Sequence, residues 1–167
     1  MKACIYELCR KGFTVVESMI AMGVSMFIIA GLLTVFIACN HYWHRTSLAL
    51  STNRKGTQCL ERIVYGVGTN IGMRGAYWVT NRATSANWRL QSSNYYGEVW
   101  YVYDRTNQNV IFSNAHENCI IGRYIVDSQV STTNGLGVSL TVRQTDGRYA
   151  CSNTLSTYVK LRAPKSQ

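Results

Sequence analysis

The sequence predicts an α+β protein in which a long, hydrophobic N-terminal helix packs on a C-terminal antiparallel β-sheet domain. The first observation behind this prediction is an uncharged, mostly apolar run over residues 18–39. The second is a group of four glycines within residues 66–75, which marks a helix end because glycine is costly inside helices and common just beyond them. The third is the chain after residue 75, which is rich in β-branched and aromatic residues, as strands are.

The uncharged run is long enough to cross a membrane. A helix that rises about 1.5 Å per residue covers roughly 33 Å over residues 18–39, and the hydrocarbon layer is about 30 Å thick. We therefore expect the chain to span a membrane once. Lys2, Arg10 and Lys11 precede the run and favour a cytoplasmic N-terminus.

A polar leader, residues 1–12, ends immediately before the apolar segment. In a secretory signal the small-residue cleavage site follows the apolar region instead, so cleavage is expected on the cytoplasmic side of the anchor. Gly12 is followed by Phe13, and Glu17 would be the fifth residue of the shortened chain. This arrangement resembles the type IV pilin-like family, whose precursors are cut by a dedicated peptidase and N-methylated.

The resemblance implies cleavage after Gly12 and methylation at Phe13 by a prepilin peptidase and methyltransferase. It also implies a single-pass protein of the bacterial inner membrane, with a periplasmic C-terminal domain, that assembles with other pilin or pseudopilin subunits through its N-terminal helix. No cofactor is implied. The corresponding segments are a leader (1–12), a transmembrane and assembly half of the helix (13–39), an exposed half (40–66) and an antiparallel β domain (67–167).

Glu17 is an acidic residue inside an otherwise apolar helix. Its burial costs about 2.5 to 3.5 kcal/mol at the membrane midplane and less near the interface, so we expect it to be paired. In the family the partner is the N-terminal amine of a neighbouring subunit, here that of Phe13, and the resemblance implies that Glu17 sets the register between subunits. The alternative is a plain signal-anchor helix whose carboxylate reaches the cytoplasmic interface.

The helix is expected to continue over residues 37–64, where apolar or small residues recur at three- and four-residue steps. Many family members carry a proline near the middle of this helix. Here the sole proline is Pro164, so no proline kink is expected. Residues 51–58 are polar throughout, and we expect that part of the helix to face solvent or other subunits.

Two β-hairpins are predicted after the helix. Residues 98–103 and 110–112 form the first, and residues 138–143 and 157–162 form the second. The polar pair Asp146 and Gly147 lies in the second connection. A long helix followed by an antiparallel sheet is the pilin-like architecture, and the closing strand resembles the end of minor pseudopilins of the J and H type.

Two of the six cysteines lie in the leader, and four follow it: Cys39, Cys59, Cys119 and Cys151. The positions beyond the anchor would face an oxidising compartment, where disulfides persist. A bridge between Cys119 and Cys151 would contribute roughly 3 to 4 kcal/mol, and such a C-terminal pair is common in type IV pilins. The alternative is free thiols, which we expect for Cys39 and Cys59 because they are twenty positions apart on one helix.

The sequence signals no catalytic chemistry. It has neither a Gly-x-Ser-x-Gly motif nor a phosphate-binding glycine motif. The histidines His41, His44 and His116 lack metal-ligand spacing, and the aspartates of the β region are scattered. We therefore expect neither an enzyme nor a metal site, and we expect His41 and His44 to join Tyr42 and Trp43 in an interfacial belt.

The net charge of +9 and the many aromatic residues raise a nucleic-acid hypothesis. Base stacking combined with phosphate neutralisation suits single-stranded DNA, and competence-type pilins bind DNA. The alternative, which we favour, is that the aromatic side chains fill the sheet core and the arginines form a solvated face. The residues concerned are Arg74, Tyr77, Trp78, Arg82, Trp88, Arg89, Trp100, Tyr101 and Arg105.

The function most consistent with this resemblance is that of a non-catalytic minor pilin or pseudopilin, assembled into a type II secretion pseudopilus or a related type IV filament. The first alternative is a DNA-binding minor pilin of a competence pilus. A single-pass anchored enzyme is the third hypothesis, and its activity would survive loss of Glu17.

Overall fold

The computed structural model describes residues 14–68, 72–76, 78–82, 87–94, 97–132 and 135–161. Over these residues the chain forms one long helix and two antiparallel sheets, which confirms the predicted α+β class. The elements are α1 (Val15–Tyr65), a short 3-10 turn (Met73–Gly75), β1 (Trp78–Asn81), β2 (Arg89–Asn94), β3 (Gly97–Asp104), β4 (Asn109–Ser113), β5 (Asn118–Arg123), β6 (Ile125–Ser131), β7 (Leu136–Asp146) and β8 (Tyr149–Val159).

Two compact units divide the chain between Trp43 and His44. The N-terminal unit includes the first part of α1, and the C-terminal unit includes the rest of α1 and all the strands above.

The end of α1 is set by Gly66, as the glycine cluster predicted. Gly66 has a φ of 98°, a left-handed conformation that glycine adopts without the steric penalty of a side chain. Its amide donates a hydrogen bond to the Arg62 carbonyl at 3.0 Å. This bond satisfies one of the carbonyls that a helix end leaves open.

The two sheets are meanders in which each strand pairs with the next. The first has the order β1-β2-β3-β4-β5 and the second the order β6-β7-β8. The hairpin predicted over residues 98–103 and 110–112 is confirmed as β3-β4. The second hairpin forms as β7-β8, but its second strand is Tyr149–Val159 rather than residues 157–162, because a tight turn at Gly147, with a φ of 54°, lets pairing start at once. The pairing of β7 with β8 places Val138 opposite Thr157.

The core of the C-terminal unit forms where inward-facing strand residues meet the last turns of α1. Along β3 and β4 every second side chain is buried, as expected for strands with one face on a core. Tyr101 and Phe112 pack with ring centroids 5.2 Å apart. The largest fully buried side chains are Tyr101, Tyr103, Phe112, Ile63, Met73, Leu90, Ile125, Leu136 and Leu140.

The expectation that residues 51–58 face solvent is wrong at Thr52 and Gly56, which are buried. The Thr52 hydroxyl donates to the Leu48 carbonyl at 2.8 Å, so its polarity is satisfied within the helix. Gly56 lies against Leu155 of β8, at a place where a Cβ atom would collide with the Leu155 side chain. These two residues are buried because they are small, and their small size lets the helix and the sheet approach closely.

Hydrogen bonds from buried aromatic residues connect the elements of the core. The Trp88 indole donates to the Ser128 hydroxyl at 2.9 Å, which donates in turn to the Ser139 carbonyl at 2.9 Å. This relay joins the chain just before β2 to β6 and β7 of the other sheet. The Tyr101 hydroxyl donates to the Arg62 carbonyl at 3.3 Å and so links β3 to the end of α1.

Gly122 is a second point of close approach, and it yields a prediction. A Cβ atom here would meet the Cys59 sulfur and would lie 2.7 Å from Ile125 Cδ1 and 3.1 Å from Cys59 Cβ. We expect Gly122→Ala to lower the free energy of unfolding by about 1 to 3 kcal/mol, because overpacking a filled core forces its neighbours to move. Denaturant unfolding of the full chain in detergent, followed by tryptophan fluorescence, measures the change.

Gly147→Asn is the matched control for this substitution. Gly147 has open space around its Cα, and asparagine tolerates its left-handed backbone. The control should therefore unfold within about 0.5 kcal/mol of the parent. Equal stability of the Gly122→Ala variant and the parent would show that the Cys59 contact is not tight.

Candidate functional site

The first part of α1 is an apolar helix that no other described part of the chain covers. Val16, Met26 and Phe27 are among the large apolar side chains of this segment, and each is more than half exposed. Among the residues that the structure describes, α1 is the one helix long and apolar enough to cross a membrane, and none of its most apolar window is buried. A segment that is apolar on all sides requires either lipid or other protein around it.

Two polar side chains inside this segment are satisfied locally. The Ser25 hydroxyl donates to the Ala21 carbonyl at 2.7 Å, and the Thr34 hydroxyl donates to the Ala30 carbonyl at 2.9 Å. Both bonds span one helical turn. The hydroxyl groups therefore have partners inside the helix and need none from lipid.

Glu17 forms a capping box with Thr14. The Glu17 Oε2 atom accepts hydrogen bonds from the Thr14 amide at 3.0 Å and the Thr14 hydroxyl at 3.2 Å, and the Glu17 amide donates to the same hydroxyl at 3.2 Å. This reciprocal pattern satisfies two donors that a helix start otherwise leaves open. The negative charge also interacts favourably with the positive end of the helix dipole.

The capping box holds the Glu17 carboxylate beside Thr14, the residue that follows Phe13. Among the residues that the structure describes, no group donates a hydrogen bond to Oε1, the second carboxylate oxygen. That oxygen and the residual negative charge remain to attract a cation from outside this helix. Gly12 and Phe13, the predicted cleavage site and methylated residue, lie outside the described residues.

Thr14 is a functional candidate that the sequence analysis did not identify. The signal was present as a threonine three residues before a glutamate at the start of an apolar run, which is the capping-box pattern.

Packing within the protein explains many of the arginine and aromatic residues that suggested DNA binding. Trp88 and Tyr101 are buried, so their ring faces cannot stack on bases unless the core opens, which confirms the favoured alternative for these two residues. The Arg89 guanidinium lies 5.3 Å from the centroid of the Trp100 ring, and Arg74 lies 5.7 Å from that of Tyr65. Tyr77 is outside the described residues, whereas Trp78, Arg82 and Arg105 are exposed.

The predicted bridge between Cys119 and Cys151 is not formed in the structure. Both cysteines are free thiols, and they lie on β5 of the first sheet and β8 of the second. The shared compartment of the two cysteines follows from the sequence, whereas the assignment of their strands to different sheets follows only from the fold. Cys39 and Cys59 are also free thiols.

The histidines do not form a metal-binding cluster in the described part of the chain. No group of three or more histidine, cysteine, aspartate or glutamate side chains there is arranged to hold a metal ion. His44 has a packing role instead, because its ring stacks on that of Tyr149 with centroids 5.9 Å apart and planes 5° apart.

Comparisons with known proteins return no match: no family model, curated protein or solved structure matches this chain. Inference about its function therefore depends on its own residues, above all on the apolar segment of α1 and the capped carboxylate at its start.

Cys59 gives a prediction about pH. Burial raises the pKa of its thiol to about 12, from an ordinary value of 9.0, although the nearby Arg62 charge lowers it in part. Between these values the unfolded chain has released the proton and the folded chain still holds it, so stability falls as pH rises above about 9. We expect a loss of at most about 1.4 kcal/mol per pH unit.

Cys59→Ala should make the pH dependence above about 9 shallower, as measured by denaturant unfolding of the full chain at a series of pH values. A remaining slope is expected at higher pH, because burial also raises the pKa of Tyr101 from its ordinary 10.0. An unchanged slope in the Cys59→Ala variant would contradict the assignment to Cys59.

Proposed function

We propose that this chain is a minor subunit of a pilin-like filament, with a structural rather than a catalytic role. In this proposal α1 anchors the chain in the bacterial inner membrane, the chain is cut after Gly12, Phe13 becomes the methylated N-terminus, and the subunit then joins a filament through α1. A type II secretion pseudopilus is the first choice of filament, on the resemblance of the closing strand to minor pseudopilins of the J and H type.

The observation that supports this proposal best is the carboxylate of Glu17 at the start of an exposed apolar helix. In an ordinary anchor the carboxylate would cap the helix but would also raise the cost of insertion, as any charge within the hydrocarbon layer does. A filament subunit gains a point charge that a neighbour's amine can neutralise. The exposed apolar surface around Glu17 is the surface that a neighbouring helix would cover.

The capping box adds a second property to this carboxylate. Because Oε2 is held by Thr14, the side chain has one preferred position and loses little conformational freedom when a partner arrives. The remaining charge is then presented on one side of the helix start. In the proposed filament it pairs with the positive amine of Phe13 in the next subunit and fixes the axial register of the two helices.

Substitutions at Glu17 test whether its charge or its cap matters. We expect Glu17→Gln and Glu17→Ala both to leave membrane insertion intact and to reduce filament incorporation at least about tenfold, since both remove the charge that pairs with the neighbour. Incorporation is measured as the fraction of subunit recovered in sheared filaments, in a host that assembles them.

Glutamine still accepts hydrogen bonds from Thr14 and keeps the capping box. If the cap alone mattered, Glu17→Gln would assemble like the parent and Thr14→Ala would fail, an outcome that would overturn the proposed pairing. Parent-like assembly of both Glu17 variants would remove Glu17 from the assembly mechanism altogether.

The proposed processing predicts a defined mass. The protein extracted from membranes of its native host should begin at Phe13 and carry one methyl group, as located by intact mass spectrometry with N-terminal fragmentation. Gly12→Trp should yield the uncut precursor, because a bulky residue obstructs the peptidase. A chain that retains residues 1–12 in a host with active prepilin peptidase would contradict the proposed function.

A further inference from the structure

A cation-rich corner forms where the β7-β8 turn meets α1. The His44 ring stacks on Tyr149, the first residue of β8. The Arg45 guanidinium carbon lies 5.9 Å from the centroid of the same ring. The tyrosine thus brings the helix cation close to the turn, which carries Arg148 one position before Tyr149.

This corner contains a recess of about 370 Å³. Its size lies within the range of sites that hold small molecules. Arginines lie on the helix side and on the turn side, with an aromatic ring, an aliphatic side chain and a thiol completing the lining. The lining residues are Arg45, Leu48, Arg148, Tyr149, Ala150 and Cys151.

The charge of the surrounding segments is strongly positive. Residues 44–55 and 143–155 together contain five arginines and lysines but one carboxylate, Asp146. Asp146 is exposed and pairs with Tyr149 across the turn through the backbone ladder. One carboxylate cannot neutralise two flanking arginines, so the recess favours an anion.

The position of Arg45 along α1 relates the recess to the end of the apolar run. Arg45 follows Cys39, the last residue of that run, by six positions, a helical rise of about 9 Å. Tyr42 and Trp43, exposed at 73 % and 70 %, lie between them, as aromatic residues do at membrane interfaces.

We propose that the recess formed by Arg45, Arg148 and Tyr149 binds the phosphate of an anionic phospholipid headgroup at the surface of the membrane that α1 spans. This inference rests on the membrane insertion in the proposed function and not on filament assembly. It assigns the β7-β8 turn a role as the contact between the folded unit and the membrane surface before the subunit is extracted.

The chemistry of the recess fits a phosphodiester better than a carboxylate of an unstructured partner. A guanidinium donates two parallel hydrogen bonds to a phosphate group, and arginines on two sides can engage both unesterified oxygens. Leu48 and the Tyr149 ring offer apolar surface to the glycerol and the first methylenes of the lipid. The Arg45 side chain is exposed, so its charged end can reach the headgroup layer.

Alkylation of Cys151 reports on occupancy of the recess. The full chain is reconstituted into nanodiscs of phosphatidylcholine, or of phosphatidylcholine and phosphatidylglycerol at a two-to-one ratio. Uncharged iodoacetamide is added, and labelling of each cysteine is followed by peptide mass spectrometry. Cys119, which is half-buried on β5 away from the recess, serves as the internal reference within every sample.

We expect the ratio of Cys151 to Cys119 labelling to fall about fivefold or more in the discs with phosphatidylglycerol, as one arginine engaged by an anionic surface would produce. The Arg45→Gln/Arg148→Gln double variant should lose this effect. The Arg82→Gln/Arg105→Gln double variant is the control, because it removes the same charge from exposed positions elsewhere and should retain the effect. Both double variants are exposed to the same pH at the charged membrane surface, so a difference between them cannot arise from that pH.

Five results would overturn the proposal. Equal ratios in the two kinds of disc, or equal loss in both double variants, would show no specific headgroup site. Protection in pure phosphatidylcholine discs on addition of free glycerol phosphate would identify a soluble phosphate ligand, and protection by polyglutamate alone would indicate an acidic protein partner. A chain that fails to enter either disc would overturn the proposed membrane insertion as well, whereas insertion without protection overturns the headgroup site alone.

Discussion

The close approach of α1 to the two sheets is the constraint on which the rest of the C-terminal unit depends. Gly56 allows contact with Leu155, and Gly122 allows contact with Cys59. A larger residue at either position would move the helix outward and separate the buried side chains of its last turns from the strands. The same approach brings the start of β8 to His44. Helix propensity alone would disfavour Gly56 by about 1 kcal/mol, so its presence is explained by packing.

The same helix meets different requirements along its length. Up to Trp43 its large apolar side chains are exposed on all sides, whereas from Thr52 onward one face is buried and the other is polar. This difference explains why no single periodic pattern describes α1. The end of α1 at Gly66 is fixed both by the helix and by the sheet. The Gly66 amide and the Tyr101 hydroxyl of β3 both donate to the Arg62 carbonyl.

The sequence was most informative where a signal is local and strong. The apolar run, the glycine stop and the two hairpins with clear alternation were all predictable, because each depends on composition or spacing within a short segment. β2 and β6 were not, since RLQSSN and IVDSQVS are too polar to resemble strands and become strands only by pairing with neighbours. Burial of Thr52 and Gly56 and the separation of Cys119 from Cys151 depend on tertiary contacts that no local pattern encodes. The Thr14 capping box, by contrast, is encoded locally, by a threonine three residues before a glutamate.

Under the proposed function, the carboxylate of Glu17 distinguishes two environments that the apolar segment suits equally. A helix that is apolar on all sides is equally compatible with lipid and with a bundle of similar helices, because lipid tails are as apolar as leucine. In lipid, an unpaired glutamate costs up to about 2.5 to 3.5 kcal/mol, and its hydrogen bonds with Thr14 offset only part of this cost because they leave the charge in place. Pairing with an amine compensates the charge. Under the proposed function, that difference corresponds to a bias of up to roughly a hundredfold towards the paired state, obtained from one side chain without any change in the apolar surface that both environments require.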